Sequence, residues 1–294
     1  MNPTTTSISS SAMLVELCIS TWTGRKMDKK ASKDVTLQNH AATGVAAVSK
    51  KLLGDCAELD AVTKFVANAR NVHYSCTMPW SDSGLRLLPT AQYFKYHQEM
   101  TGLQMEFERR VRAFLDAYDW EIQTAQLKLG TLFDANEYPT VDKLTDKFRF
   151  KMNYVPLPDA GDFRIDIEAE AKRELASQYA DYYASQFQSA MKDVWQRAYD
   201  AVSKMSERLD YTDATGKKIF RDSLVDNVVE MCDLMQVCNV TNDPVMQSAQ
   251  QKLKQALQGV TPDALREDEY LRHETKAKVD EVKRIIDNLP GLGM

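Results

Sequence analysis

YFKYHQEMTGLQMEFERRVRAFLDAYDWEIQTAQLKL, residues 93–129, decides the fold. Tyr93, Tyr96, Met100, Leu103, Phe107, Val111, Phe114, Tyr118, Ile122, Ala125 and Leu129 recur at spacings of three and four. That period places them on one stripe of a helix running over about 90–130, about 60 Å long at about 1.5 Å per residue. Gly130 and Pro139 mark its end zone. A second stripe begins near Ile167 and passes through Ala171, Leu175, Tyr179, Tyr182, Phe187, Ala190, Val194, Ala198, Val202, Met205 and Leu209. Two stripes of matched length joined by a shorter segment predict a long antiparallel helical hairpin, about 90–130 against about 166–210. Neither stripe is a strict heptad, so a packed hairpin is expected in place of a two-stranded zipper.

Between the long helices, Phe148, Phe150 and Met152 alternate with Arg149, Lys151 and Asn153, and the run extends to Pro158. A period of two predicts a strand, and a β element is expected over about 140–165. Asp159–Ala160–Gly161–Asp162 reads as a turn, with Phe163–Arg164–Ile165 returning. Leu14–Trp22 and Leu85–Leu88 are further strands for the same small sheet, since two strands alone are marginal. Arg25 to about Leu53 has a helical composition, and another helix is expected from about Cys56 to Tyr74. Phe220, Leu224, Val228, Met231, Met235 and Cys238 mark a helix of about 20 residues by their spacing. Asp243–Pro244 and Thr261–Pro262 each combine an N-cap with proline at the first helical position. They open two C-terminal helices, 244–259 and 262–289, of which 266–278 is expected to be a solvated face. The fold class is therefore mainly α (α+β). Residues 1–12 form a Ser/Thr-rich tail, 13–240 the helical domain with its sheet, and 241–294 the partly solvated C-terminal helices.

Composition agrees with this. The chain of 294 residues is 44% hydrophobic and carries only 11 Gly and 9 Pro, which favours helix over a many-turned β fold. No run of apolar residues is long enough for a membrane span, and Glu16 interrupts the early apolar stretch, which argues against a secretory signal. Five cysteines, an odd number, suit reduced thiols in a cytoplasm. The net charge is −5, yet residues 1–90 balance at +3, against −3 and −5 for 91–163 and 164–294. A dedicated nucleic-acid binder carries a stronger positive patch.

Catalytic and cofactor motifs are missing. Gly216–Lys217–Lys218 lacks the upstream glycine and the following Ser/Thr of a phosphate loop, and no dinucleotide fingerprint occurs. The four histidines share no ligand spacing, Cys232 and Cys238 point in different directions on a helix, and no nucleophile elbow is present. No enzyme activity, cofactor or metal is expected. Arg25, Lys26, Lys29, Lys30 and Lys33 form the strongest anion-contacting stretch, with four lysines at helical spacing and Trp22 just ahead. Cations beside an aromatic suit single-stranded nucleic acid, while Asp28 and Asp34 favour a plain solvated helix. Two loops, Met78–Pro89 and Pro156–Arg164, are rich in Pro, Asp and Gly. They place Trp80 and Asp82 on one expected binding surface and Asp159 and Asp162 on another, with core packing and turn capping as the structural alternatives.

Several blocks also resemble a known family. They are Leu17-x-Ile19-Ser20-x-Trp22-Thr23-x-Arg25-Lys26-x-Asp28-Lys29-Lys30, Met78-Pro79-Trp80-Ser81-Asp82-x-Gly84-x-Arg86-Leu87-Leu88-Pro89, Tyr138-Pro139-Thr140 through Lys147-Phe148-x-Phe150, Pro156 to Arg164, and Phe220-Arg221-Asp222-Ser223-Leu224. Together they are similar to a family of unassigned function carried by tailed bacteriophages and integrative mobile elements, over about residues 13–240. The resemblance implies no catalytic residue. Its genetic setting implies neighbours such as MoxR-type AAA ATPases and recombination proteins. The functional expectation is a non-enzymatic phage or mobile-element protein in the host cytoplasm. It would act as an oligomeric scaffold or an adaptor, its partner being itself or a MoxR-type AAA ATPase, and it would not engage a membrane. The alternative is a nucleic-acid-binding factor in replication or recombination.

Overall fold

The computed structural model describes residues 10–157, 169–212, 216 and 218–289. Of the tail read at 1–12, residues 1–9 lie outside the described residues, as do the Asp159–Asp162 turn and the return strand at Phe163, while Ala12 is buried as the first residue of a strand. The protein is mainly α with a small antiparallel sheet, long helices and further C-terminal helices.

Strands are β1 Ala12–Ser20, β2 Arg25–Asp28, β3 Val48–Lys51, β4 Met78–Pro79, β5 Leu85–Pro89 and β6 Arg149–Pro156. Helices are α1 Lys29–Gln38, α2 Ala57–Cys76, α3 Tyr93–Leu129, α4 Val141–Thr145, α5 Ala169–Leu209, α6 Ser223–Cys238, α7 Pro244–Ala256, α8 Pro262–Glu267 and α9 Glu269–Asp287. One sheet has the order β4-β5-β1-β6, and β2 and β3 form a separate pair. β1 lies antiparallel to β5 from Ala12 opposite Pro89 to Glu16 opposite Leu85. The chain divides into two compact units, one of residues 1–16, 75–94 and 154–294, the other of residues 17–74 and 95–153.

In the first unit α5 packs along α6 and α9, and α7 covers α6 and α9. Ala190, Val194, Ala198, Val202, Met205 and Leu209 form the inner row of α5, facing Val228, Met231 and Met235 of α6 and Val279, Val282 and Ile286 of α9 in one core. Both proline-opened helices begin as their sequences dictate. Asp243 accepts from the Val245 N–H at 2.8 Å and Thr261 from the Ala264 N–H at 3.2 Å. The segment expected as one solvated helix breaks at Asp268, whose carboxylate caps α9 by accepting from Leu271 N–H. Its inner row is buried, including Arg272 at 0% exposure. That guanidinium stacks 4.0 Å from the Tyr211 ring centroid and donates to the Leu265 carbonyl at 3.0 Å, so a charged residue occupies a core position.

In the second unit Tyr96, Met100, Phe107, Val111, Phe114, Tyr118 and Ala125 make the inner row of α3, as the period dictates. Phe114 meets Phe148, and Phe107 meets Phe150 of β6, with centroids 5.7 and 5.6 Å apart. α2 contributes Leu59, Val62, Val66 and Ala69. The helix expected from Arg25 to Leu53 is replaced by β2, the ten-residue α1 and β3. Asp28 ends β2 by capping α1, accepting from Ala31 N–H at 2.9 Å, and Arg25 to Asp28 pair with Lys51 to Val48. α5 lies in the first unit, and α3 lies in the second from Lys95 onward.

Candidate functional site

The basic segment is built differently from its expected form. Arg25 and Lys26 stand on β2, while Lys29, Lys30 and Lys33 occupy the first two turns of α1. A helix N-terminus already carries partial positive charge, so lysines there concentrate it. Lys26 lies 3.7 Å from Glu137. For Arg25, Lys29, Lys30 and Lys33 there is no ion pair among the described residues, and all four are exposed. Trp22 is 9% exposed and sits in the core, tilted on Phe114 and edge-on to Tyr118 at 6.2 and 5.9 Å. Its ring supports the segment from beneath and is closed to a stacking base.

Beneath the same segment, Lys50 is buried among acceptors. Its Nζ donates to the Leu132 carbonyl at 2.7 Å and forms ion pairs with Glu137 Oε2 at 2.7 Å and Asp28 Oδ2 at 3.0 Å. Burial alone would lower its pKa, but the two carboxylates reverse the direction and raise it. One hydrogen bond and two ion pairs engage this ammonium, so Lys50 fastens the β2–β3 pair to the loop after α3 and is not a free cation.

Trp80 is also a core residue. Its ring lies edge-on to Tyr183 and Phe187, with centroids 5.4 and 5.1 Å away. Asp82 is exposed in the turn between β4 and β5, where Ser81 N–H donates to the Leu85 carbonyl and Gly84 takes a φ of +97°. Asp159 and Asp162 lie outside the described residues.

Three arrangements have no counterpart among the sequence-derived candidates. The first is the outward row of α3, where Met105, Trp120 and Leu127 are 64%, 68% and 86% exposed. The second is an open pocket of about 350 Å³ in the first unit, lined by Lys204, Arg208, Ile219, Phe220, Arg221, Ser223, Leu224 and Asn227. The third is a cluster of Cys56, Glu58 and Glu121, whose donor atoms all fall within 4.8 Å of one another. Cys56 Sγ lies 3.7 Å from Glu58 Oε2, and burial followed by the two carboxylates pushes the thiol up to about 11. One buried oxygen of Glu121 has no hydrogen-bond partner. Two carboxylates and a thiol are three of the ligands an open divalent site uses, but proton retention by the thiol already relieves their repulsion. Sequence carried a signal for each: the i, i+7 pair Trp120 and Leu127, the i, i+4 pair Lys204 and Arg208, and the Cys-x-Glu start of α2. Exposed and core apolar residues on α3 differ only in face, which the stripe reading assigned to one side.

Among the described residues no helix is long and apolar enough to cross a membrane. No family model, no characterised protein and no solved structure matches the chain.

Proposed function

We propose that the chain works by binding protein, first of all a second copy of itself, as a non-enzymatic scaffold or adaptor. The observation that supports this reading is the outward row of α3. At 100° per residue, Met105, Trp120 and Leu127 fall within a 60° sector, on the side opposite the buried row. Arg109, Arg112, Asp116 and Gln123 fill the same face and are exposed. Exposed tryptophan among arginines is the composition of interface hot spots.

The order along this row favours a copy of the same chain. Met105 and Leu127 stand equally far on either side of Asp116, as do Arg112 and Trp120, and Arg109 and Gln123. Two such helices crossing antiparallel about a two-fold axis at Asp116 would set Met105 on Leu127 and Arg112 over Trp120. Each residue pair then occurs twice, as a closed two-fold interface requires. Arg112 of each copy also lies one turn from the paired Asp116 side chains and offsets their repulsion. The tailed-phage or mobile-element setting, the host cytoplasm and a MoxR-type AAA ATPase as a further partner belong to the same proposal through the family resemblance. Light scattering across the micromolar range tests it. A mass that rises with concentration for the natural chain and stays monomeric for Trp120→Glu is expected, whereas a strict monomer throughout defeats the self-association reading.

One observation favours a second reading, nucleic-acid binding: the exposed cations Arg25, Lys29, Lys30 and Lys33, which have no ion pair among the described residues. Without Trp22 as a base platform the contact would be to phosphates alone, and therefore salt-dependent and sequence-tolerant. Binding of single- and double-stranded DNA at two salt concentrations decides it, since no binding at low salt removes this reading.

A further inference from the structure

We propose that the pocket between the C-terminal end of α5 and the start of α6 binds a small ligand through its diphosphate or triphosphate group. Lys204 and Arg208 are one turn apart on α5 and share a face. Arg221 joins them from the segment leading into α6. None of the three has an ion-pair partner among the described residues. Three positive charges around one concavity repel one another unless an anion enters. A diphosphate monoester carries about three negative charges, close to two of them on its terminal phosphate. Arginine offers a planar fork to phosphate oxygens and lysine a point charge, so this set can grip two adjacent phosphates.

The carboxylate next to Arg221 in sequence is engaged elsewhere. Asp222 holds the N-cap position of α6 but makes no capping hydrogen bond. Its carboxylate is paired with Arg266, which also pairs with Asp263 at 2.7 Å and donates to the Phe220 carbonyl at 3.0 Å. The Arg266 guanidinium lies 5.0 Å from the Phe220 ring centroid as well. Arg266 is thus a positioning residue that fixes the turn and keeps Asp222 from neutralising the pocket. The Leu224 and Val225 N–H groups at the start of α6 donate to the Arg221 and Asp222 carbonyls at 3.0 and 3.1 Å, so side-chain donors carry the anion contact. Ser223 and Asn227 add neutral donors, and Ile219, Phe220 and Leu224 supply an apolar side for the organic part of a ligand. A volume of about 350 Å³ is that of a small-molecule site. Nucleic acid is a poorer match, because strand binding uses a charged track with exposed aromatics. Here the cations converge, and Phe220 is buried.

Titration calorimetry on the full chain tests the proposal, with inorganic pyrophosphate, ADP, sulfate at equal ionic strength and a single-stranded oligonucleotide as probes. One pyrophosphate or ADP per chain is expected, each displacing the other. The affinity should fall about tenfold or more in Arg208→Gln and in Arg221→Gln, the scale of one charge-assisted contact. These side chains are exposed, so unchanged thermal melts will show that the variants stay folded. Any of three results overturns the proposal: sulfate binding as well as pyrophosphate, the oligonucleotide binding where pyrophosphate does not, or variants that bind like the natural chain.

Discussion

Lys50 and Glu137, far apart in sequence, meet as a buried ion pair at 2.7 Å, and Asp28 closes on the same ammonium at 3.0 Å. Removing one partner of such a group strands the others in a poorly solvated place. Lys50→Met is expected to cost about 3 kcal/mol, because Asp28 then loses its ion-pair partner and Glu137 keeps only Lys26 at 3.7 Å. Urea unfolding measures the loss, and hydrogen exchange should place it in β2 and β3. A cost below about 1 kcal/mol, the range of surface pairs, would show the cluster to be solvated.

The same charges set the response to pH. In the folded chain Asp28 titrates below its ordinary 3.8, held down first by the Ala31 N–H and then by Lys50. Burial pushes Asp280 upward, but Lys276 and Ser206 outweigh it and the net direction is down. A carboxylate lowered on folding adds stability that is complete above its unfolded value and is lost as pH falls through its folded one. Lys50 and Lys276 are raised, so their contribution is complete below the ordinary 10.5 and is lost as pH climbs through the raised value. Melting temperatures should therefore hold near neutrality and drop below about pH 4. The drop should be shallower in Asp280→Asn. An identical acid limb in that variant would remove Asp280 from the account.

Thiol chemistry separates the cysteines. Burial pushes Cys232 up to about 11 and Cys238 up to about 12, and Cys56 stands at about 11. Only thiolates attack disulfide reagents, so at pH 8 these three should stay silent in the native chain while exposed Cys18 reacts. Glu121→Gln removes a negative charge beside Cys56 and should lower that thiol's pKa. Absorbance of the thiolate against pH reports the shift, and an unmoved titration would place Glu121 outside its reach.

Trp80 and Trp120 make a matched pair of tests. Trp80→Ala opens a hole between Tyr183 and Phe187 and is expected to cost about 3–5 kcal/mol. Trp120→Ala removes an exposed ring and should change monomer stability by about 0.5 kcal/mol at most, while weakening association. Chemical unfolding at low protein concentration, beside light scattering at high concentration, tells the two effects apart. Equal losses of stability would mean that Trp120 is packed.

Much of this architecture can be read from residues in a row. The inner face of α3 and that of α5 from Ala190 to Leu209 follow the three-and-four spacing, whereas Tyr179 and Tyr182 of the expected α5 stripe are exposed and Tyr183 is buried; the proline-opened helices follow from Asp243 and Thr261. β5 and β6 likewise emerge where strands are expected. What eludes such reading is whatever distant residues decide. β2 and β3 carry Arg25, Lys26, Lys50 and Lys51, which look like a solvated helix until Glu137 arrives to neutralise Lys50. The inner row of α9 includes Arg272 and Thr275, polar residues that fit a core only because the Tyr211 ring and the Leu265 carbonyl receive the guanidinium. The aromatic members of the expected sites, Trp22 and Trp80, are anchors for the same reason. A tryptophan beside a turn has one composition whether it faces water or a core, and long-range packing makes the choice.

The division of the chain into units fixes an order of synthesis. The first five residues of β1 pair with Leu85–Pro89, and Ala12 and Leu14 belong to a core that takes in residues as late as Ile286. On a ribosome, the second unit has all its sequence once residue 153 has emerged. β1 must wait for residues as late as Ile286 before its apolar side is fully covered. β1 thus has its apolar side covered late, and until Leu85–Pro89 emerges it presents an unpaired edge that a holding chaperone can shelter.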